Sequence, residues 1–232
     1  MTQDRAAEGR PSTREQGSHH TRDERRSDPE RVLAFTDGVF AIIITILVLD
    51  IRVPDGLPEQ SLAEAIGVTY PTLLAWVISF LLTGMYWVWH RDTFALVRRV
   101  NRDLVWLNLL FLLPIGLIPF AASVLGQYNR QPVALHVYGV VMMAASLMRI
   151  VLYRYVSHRP QLLWATPTER ARRLGIAIAA APIAVYGTAM LLAGWLPGAS
   201  LALYGLMPLL YFVGITLLRN RRRFRSDAED YS

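Results

Sequence analysis

The chain contains no cysteine among its 232 residues. Disulfide bonds, thiolate catalysis and cysteine-based zinc sites are therefore excluded. Lysine is also absent, so all 24 basic residues are arginine, which we interpret as a compositional bias rather than as chemistry. The H-E-x-x-H and G-x-S-x-G motifs of zinc proteases and serine hydrolases do not occur. We therefore expect no enzyme, no catalytic residue, no metal site and no cofactor.

Apolar residues are abundant instead. They make up 53% of the chain, and the mean hydropathy is positive. The formal net charge of +6 and the pI near 10.0 could indicate a nucleic-acid partner. The basic residues lie between apolar segments, however, which is typical of a membrane protein. We expect membrane lipid as a partner and no nucleic acid.

Six apolar segments follow a polar, charge-mixed start. They lie near 32–51, 68–90, 104–126, 133–153, 174–195 and 200–218. About 20 apolar residues suffice to cross the hydrocarbon core as a helix. The pattern predicts an all-α, polytopic membrane protein with six transmembrane helices. Its parts are a disordered cytoplasmic tail at 1–30, a membrane domain at 31–219 and a basic cytoplasmic tail at 220–232.

The positions of the arginine residues predict how the protein is oriented in the membrane. Basic clusters precede segment 1 and follow segments 2, 4 and 6, whereas the alternate loops contain only Arg52 and Arg130. Cytoplasmic loops of membrane proteins carry the excess of basic residues. Both termini are therefore expected in the cytoplasm, which is consistent with an even number of crossings. We expect a multi-pass protein of the cell membrane.

The first segment differs from a simple anchor because Arg31 and Asp37 lie near its start. A carboxylate within a membrane helix is costly and usually faces protein, a partner or water. The centres of the six segments are interpreted as free of charged residues. A coupled transporter usually has charges at this depth, whereas a channel needs only a polar or apolar pore. This interpretation favours a channel but also fits a structural membrane protein.

A motif in this segment resembles a known family. Its residues are Arg31, Phe35, Thr36, Asp37 and Gly38. They are similar to the R-x-x-x-F-S-D-G signature of the transmembrane protein 175 family, which comprises potassium-permeable channels of endosomes and lysosomes with shorter prokaryotic relatives. Further similarity lies in the Y-W-x-x-H pattern at 86–90 and in segment 3, at 106–111 and 117–120.

This chain departs from the family pattern in two places. Thr36 replaces the usual serine but keeps the hydroxyl, and Arg91 stands where many relatives have a second histidine. The motif occurs once, whereas animal members carry two six-helix repeats. The resemblance therefore implies a prokaryotic-type subunit that assembles with itself as a homotetramer and passes K⁺.

Ile42, Thr45 and Leu49 have the spacing i, i+3, i+7 and share one face of a helix. From the residues by themselves, the two apolar side chains are ordinary packing residues and Thr45 is bonded back to its own helix. The resemblance implies instead that they line a pore on the tetramer axis. Apolar rings would constrict this pore, and a threonine ring would supply hydroxyls.

The polar residues of the motif have candidate partners at the same predicted depth. A hydrogen-bond network is geometrically plausible among Arg31, Thr36, Asp37, His90 and Asn108. Gly38 would let another helix approach closely. We interpret this network as one that holds helices together rather than as an ion-binding site.

Taken with the resemblance, the sequence predicts a subunit of a channel selective for potassium over sodium. The alternative is a proton-coupled or solute transporter that uses Asp37 and His90. An intramembrane enzyme has little support.

Overall fold

The computed structural model of the protein describes residues 13–52 and 62–229, with side chains described at 28–52, 64 and 66–213. Within these ranges, strand-like pairing is limited to an isolated bridge between Val97 and Leu163. Seven helices follow in chain order: α1 (Thr13–Ile46), α2 (Leu62–Phe94), α3 (Arg102–Gly116), α4 (Ile118–Gln127), α5 (Pro132–Ser157), α6 (Glu169–Leu192) and α7 (Pro197–Glu229). The prediction of an all-α membrane protein is confirmed.

The membrane-spanning segments agree with the sequence pattern. Within the described residues, five stretches are long and apolar enough to cross a bilayer: Asp28–Asp50, Ile66–Phe94, Arg102–Gln127, Pro132–Ser157 and Glu169–Leu192. The sixth predicted segment lies in α7, which contains the apolar stretch Pro197–Val213 among the residues whose side chains are described.

The third segment is two helices rather than one. Helix α3 begins after Asn101, whose side-chain oxygen accepts a hydrogen bond from the Leu104 N–H at 3.0 Å. It ends at Gly116, and α4 begins at Ile118, after the single intervening residue Leu117, with Pro119 in its first turn. Proline has no N–H to donate to the preceding turn, so the regular hydrogen-bond ladder is interrupted there. Helix α3 packs mainly on α5, whereas α4 packs on both α2 and α5.

Helix α1 begins at Thr13, within the segment that the sequence predicts to be a disordered tail. Disorder of that tail stays a prediction, and residues 1–12 and 230–232 lie outside the described residues. Helix α1 ends at Ile46 and continues as a 3₁₀ turn at Leu47–Asp50. The turn tightens the end of the segment that carries the predicted pore residues.

The helices form one packed body with α1 at its edge. Helix α1 packs on α2 and α3, α2 packs on α4 and α7, and α5 packs between the α3–α4 pair and α6. Phe40, Ile43 and Leu47 are the buried apolar residues of the first segment, and they join the central core. One face of α1 is thus fixed to the subunit.

Candidate pore face and helix-packing network

Helix α1 has a buried face and an open face. Thr36, Phe40, Ile43 and Leu47 are buried, with the 3.6-residue period of a helix packed on one side. On the opposite side, Ile42 is 59% exposed and Leu49 is 64% exposed.

The open face contains all three residues predicted to line the pore. Thr45 lies between Ile42 and Leu49 and is also exposed. Phe35 and Gly38 continue the same face toward the start of the segment. We refer to Phe35, Gly38, Ile42 and Thr45 of α1, together with Leu49 of the 3₁₀ turn that follows it, as the open face of α1. No other described part of the subunit covers it.

The hydroxyl of Thr45 has a defined direction. Its Oγ1 donates a hydrogen bond to the Ile42 carbonyl at 2.8 Å. The proton therefore points into the helix, and the oxygen lone pairs are left on the open face. Back-bonding of this kind is the ordinary behaviour of a membrane threonine.

Gly38 was predicted to allow close approach of another helix. Within the described residues, no heavy atom outside its own helix backbone and chain neighbours lies within 4 Å of the position that a Cβ would take. Nothing described within the subunit makes that approach. Any helix that packs on Gly38 therefore comes from outside the described subunit.

Three of the predicted network residues meet in the interior. The Asn108 amide Nδ2 donates to Thr36 Oγ1 at 2.8 Å, and Thr36 in turn donates to the Val32 carbonyl at 2.9 Å. His90 Nε2 donates to the Asn108 side-chain oxygen at 2.8 Å. Thr36, His90 and Asn108, which we call the polar triad, tie together α1, α2 and α3.

Aromatic rings pack on both sides of His90, one member of the polar triad. The ring of His90 stacks on Phe94 at 4.3 Å and lies nearly parallel to Phe111 at 5.6 Å, measured between centroids. Because an amide oxygen can only accept, the hydrogen bond to Asn108 assigns the proton to Nε2. His90 Nδ1 is buried without a partner among the described residues. The triad is therefore a buried structural contact that leaves one acceptor, the Nδ1 lone pair of His90, without a partner among the described residues.

Asp37 lies outside this triad. Its Oδ1 accepts a hydrogen bond from Trp87 Nε1 at 2.8 Å. Neighbouring residues of an α-helix point about 100° apart, so Thr36 and Asp37 reach different partners. Trp87 and His90 are three residues apart on α2 and belong to the two separate contacts. Trp87 belongs to the Y-W-x-x-H pattern at 86–90, but nothing in the sequence identifies it as the partner of Asp37.

Arg31 lies on the exposed side of α1 and makes no ion pair or hydrogen bond with the described residues. The structure therefore brings together Thr36, His90 and Asn108, places Asp37 on a separate contact, and leaves Arg31 apart from both. Groups of three or more metal-ligating side chains are also absent from the described part of the chain.

Sequence reasoning missed a charged residue inside a span. Arg149 lies in the interior of α5, two turns from its end, and is fully buried. The interpretation that the centres of the segments are free of charge was therefore incomplete. An arginine within an otherwise apolar run was the available signal, since such residues are rare in membrane helices and usually functional or paired.

Arg149 has a specific partner on α6. Its Nη2 donates to the Ile178 carbonyl at 2.9 Å. Pro182 lies four residues after Ile178 inside the same helix. Proline lacks the N–H that would normally bond to this carbonyl. Arg149 thus supplies the hydrogen bond that Pro182 removes, and it links α5 to α6 at the proline.

This contact predicts a double-mutant result. Arg149→Met should destabilise the subunit by about 1–3 kcal/mol, because the Ile178 carbonyl loses its partner. In a Pro182→Ala background the same change should cost less, since the N–H of the introduced alanine can bond to that carbonyl. Thermal or denaturant unfolding in detergent would measure both. Equal costs in the two backgrounds would show that Arg149 does not substitute for the missing N–H.

Comparison with known proteins finds relatives over much of the chain. A family model described as "Endosomal/lysosomal potassium channel TMEM175" matches residues 31–119, which contain the polar triad and the membrane-spanning part of α1. A potassium channel of Streptomyces collinus is 39% identical over 155 residues, covering 64% of this chain and 75% of that protein. A potassium channel of Chamaesiphon minutus is 33% identical over 147 residues, covering 60% and 70%.

Structural comparison agrees as well. The crystal structure of a lysosomal potassium-selective channel TMEM175 homolog from Chamaesiphon minutus matches with a TM-score of 0.66 and 25% identity, covering 81% of this chain and 97% of that chain. A mouse protein named endosomal/lysosomal proton channel TMEM175 is 40% identical over 111 residues, but this covers only 22% of its length. The chain is a multi-pass membrane protein that belongs to the TMEM175 family of ion channels, and not to a family of enzymes.

Proposed function

We propose that this protein is the subunit of a homotetrameric, potassium-permeable channel whose pore is lined by α1. The family assignment and the relatives named potassium channels support potassium as the permeant ion. The observation that carries the proposal is the open face of α1. A helix at the edge of the subunit packs by one side and leaves Ile42, Thr45 and Leu49 uncovered on the other.

Four copies of this face around an axis would form the conduction path. Ile42 and Leu49 would each contribute an apolar ring, and Thr45 would contribute a ring of oxygen acceptors between them. A narrow apolar ring resists wetting and acts as a barrier to a hydrated ion. The hydroxyl oxygens of Thr45 can replace part of the hydration water. One thin layer of neutral oxygens should favour K⁺ over Na⁺ only modestly.

The polar triad would set the direction in which this face points. Thr36, on the buried side of α1, is hydrogen-bonded to Asn108 of α3, and Asn108 is hydrogen-bonded to His90 of α2. Stacking on Phe94 restricts the orientation of the His90 ring. Rotation of α1 about its axis would break these hydrogen bonds in a low-dielectric interior, which is costly. We infer that the triad is a scaffold for the pore rather than an ion site.

The open face of α1 also contains residues suited to contacts between neighbouring subunits. Gly38 leaves room for a neighbouring helix, and Phe35 is 55% exposed beside it. Small residues permit close approach of membrane helices, and an aromatic side chain can fill the space beside such a contact. We propose that both residues contact a neighbouring subunit near the cytoplasmic end of α1.

Subunit stoichiometry tests this proposal directly. The protein would be purified in mild detergent, and the mass of the protein component would be determined by light scattering. We expect four copies of the 26.2 kDa chain. The same preparation, reconstituted in liposomes, should pass K⁺ down its gradient. A stable monomer that conducts would rule out a pore formed by four copies of α1.

The alternative, a proton-coupled transporter using Asp37 and His90, finds less support in the geometry. The two side chains bond to different partners, Trp87 and Asn108, and no direct hydrogen bond links them. Mammalian relatives are nevertheless named proton channels. Potassium flux in liposomes without a proton gradient separates the hypotheses, because a channel needs no proton movement. Flux that requires a proton gradient would favour the transporter.

Asp37 offers a prediction about assembly. Asp37→Ala should weaken the tetramer, because Trp87 Nε1 loses its acceptor; membrane hydrogen bonds of this kind average about 1 kcal/mol. Asp37→Asn should be milder, since the amide oxygen still accepts. Trp87→Phe, which removes the donor, is the matched variant and should resemble Asp37→Ala. Normal tetramers that no longer conduct in both Asp37 variants would assign Asp37 to conduction.

The arginine pattern predicts that both termini lie in the cytoplasm of the cell. Because the chain has no cysteine, a single introduced cysteine is a clean topology probe. A cysteine introduced at position 10 should react with a membrane-impermeant maleimide only after the cells are opened. Labelling of intact cells would place the N-terminus outside and reverse the assignment.

A further inference from the structure

A cavity of about 330 Å³ lies at one end of the helix bundle, where α1 and α2 meet two loops. Glu30 lines it from the start of the first membrane span, and Arg91 lines it from the last turn of α2. Trp164, which is 61% exposed, lines it from the loop between α5 and α6. Phospholipid headgroups lie at the ends of membrane spans, where tryptophan is also common. The cavity therefore lies at the depth of a lipid headgroup.

Backbone pairing holds one side of the cavity in place. The loop after α2 and the loop after α5 meet at the bridge between Val97 and Leu163, both of which are buried. On either side of the bridge, the N–H groups of Arg98 and Trp164 donate hydrogen bonds to carbonyls of the opposite loop, at 2.7 and 3.1 Å. The Arg98 guanidinium lies over the Trp164 ring, 5.7 Å from its centroid. Arg98, which also lines the cavity, is thus positioned by main-chain contacts and by the indole ring.

Two oppositely charged groups in this cavity are not neutralised. Arg91 forms an ion pair with Asp92 at 3.1 Å. Within the described part of the chain, neither Arg98 nor Glu30 forms an ion pair, although both line the same cavity. The cavity therefore offers a free cation from the loop and a free carboxylate from α1. A ligand with separated negative and positive groups matches this arrangement.

The chemistry of the lining groups distinguishes between lipid headgroups. A guanidinium binds a phosphate through charge-assisted hydrogen bonds. A carboxylate accepts hydrogen bonds from a primary ammonium, which has three N–H donors, whereas a quaternary ammonium has none. Leu33, Phe94 and Val97 add apolar surface beside these charges. Phosphoethanolamine has both the phosphate and the primary ammonium, whereas phosphoglycerol lacks the cation and phosphocholine lacks its N–H donors.

We propose that this cavity binds the headgroup of phosphatidylethanolamine, with the phosphate at Arg98 and the ammonium at Glu30. The site is separate from the open face of α1 and does not depend on the pore proposed there. The bound lipid would join the start of α1 to the loop after α2. It would also contact Phe94, whose ring stacks on His90 of the polar triad. Its binding would therefore stabilise the contacts that hold α1 in the subunit.

The test compares three phospholipids as ligands. Delipidated protein in detergent is titrated with short-chain phosphatidylethanolamine, phosphatidylcholine or phosphatidylglycerol, and thermal unfolding is followed by tryptophan fluorescence. A ligand that binds the folded state raises the melting temperature with its concentration. We expect a saturable rise whose midpoint is about tenfold lower for phosphatidylethanolamine, the effect of one more hydrogen bond between charged groups. Equal midpoints for the three lipids would overturn the proposal.

Free phosphoethanolamine tests whether the ligand is a lipid. It has the same charged groups but no acyl chains, so it should give little response at the concentrations that saturate with the lipid. A response as strong as that of phosphatidylethanolamine would identify a soluble phosphate as the ligand and overturn the assignment to a membrane lipid.

Two variants identify the residues. Glu30→Gln should remove the preference for phosphatidylethanolamine over phosphatidylglycerol, because the carboxylate no longer attracts the ammonium. Arg98→Gln should raise the midpoints of all three lipids about tenfold, because each has a phosphate. Asp28→Asn and Arg99→Gln are the matched controls, since they remove the same charges from nearby positions that do not line this cavity. Their midpoints should equal those of the unaltered protein.

A direct pairing of Glu30 with Arg98 would give a different result. Both variants would then lower the melting temperature without lipid and leave the lipid midpoints unchanged, which would overturn the proposal. Native mass spectrometry of the unaltered protein does not depend on folding of the variants. From an equal mixture of the three lipids, the protein should retain mainly phosphatidylethanolamine. Retention of the three lipids in equal amounts would contradict the site.

Discussion

Replacing Ile42 with asparagine should raise potassium leak by about tenfold or more and reduce the preference for K⁺ over Na⁺. Ile42 is 59% exposed on the open face of α1, so in the proposed tetramer four copies would face the axis. Four amides in place of four apolar side chains would favour wetting of the constriction and lower the barrier to a hydrated ion. Each tenfold increase in rate corresponds to a barrier lower by about 1.4 kcal/mol.

The measurement is K⁺ and Na⁺ flux in liposomes containing equal amounts of protein. Val140→Asn is the matched control, because Val140 on α5 has a similar exposure of 55% but lies away from α1. It introduces the same polar group on a surface that the proposal leaves to lipid. Equal flux changes in the two variants, or none in Ile42→Asn, would show that this face of α1 does not line the conduction path.

Asn108→Leu should strongly destabilise the subunit and reduce tetramer formation. Asn108 is 1% exposed and is the central member of the polar triad. Leucine can fill much of the same space but can neither accept from His90 Nε2 nor donate to Thr36. A buried donor left without its partner costs about 1–3 kcal/mol. Thermal unfolding and the fraction of tetramer in detergent would both report the loss.

A double variant tests whether the polar triad only supports the structure or also takes part in conduction. His90→Phe combined with Asn108→Leu removes the stranded donor, and the new phenyl ring can occupy the stack between Phe94 and Phe111. Removing both partners of a buried hydrogen bond is often nearly neutral. We expect this double variant to recover most of the stability, the tetramer and K⁺ flux. Recovery of tetramers without flux would show that the triad contributes to conduction itself.

Much of the fold could be predicted because it depends on segment length and composition. Six apolar runs of suitable length are visible in the sequence, and the structure builds five full spans and the apolar part of α7 from them. The i, i+3, i+7 spacing is enough to place Ile42, Thr45 and Leu49 on one face of a helix. Whether that face lines a pore is decided between subunits, so it stays a prediction.

The arrangement within the candidate site was less predictable. The sequence predicted that Thr36, Asp37, His90 and Asn108 lie at one depth in the membrane. In the structure, Thr36, His90 and Asn108 are hydrogen-bonded to one another, whereas Asp37 bonds to Trp87, which the sequence did not identify as its partner. The depth of a residue in the membrane follows from its position along the helix, which can be counted from the sequence. The direction of each side chain depends also on how each helix is rotated against its neighbours, which is set by packing of the whole bundle.

The sequence by itself determined the membrane-spanning character and the helix count within one, because these follow from local hydrophobicity and segment length. The helical period predicts one face for Ile42, Thr45 and Leu49, but Leu49 lies in the 3₁₀ turn after α1. Only the tertiary structure decided that α3 and α4 separate at Leu117 and that Arg149 reaches the Ile178 carbonyl. Pro182 indicates a carbonyl without its usual donor, but 29 residues separate Arg149 from Ile178 in the chain. Their meeting depends on how α5 and α6 pack, and no local pattern encodes that geometry.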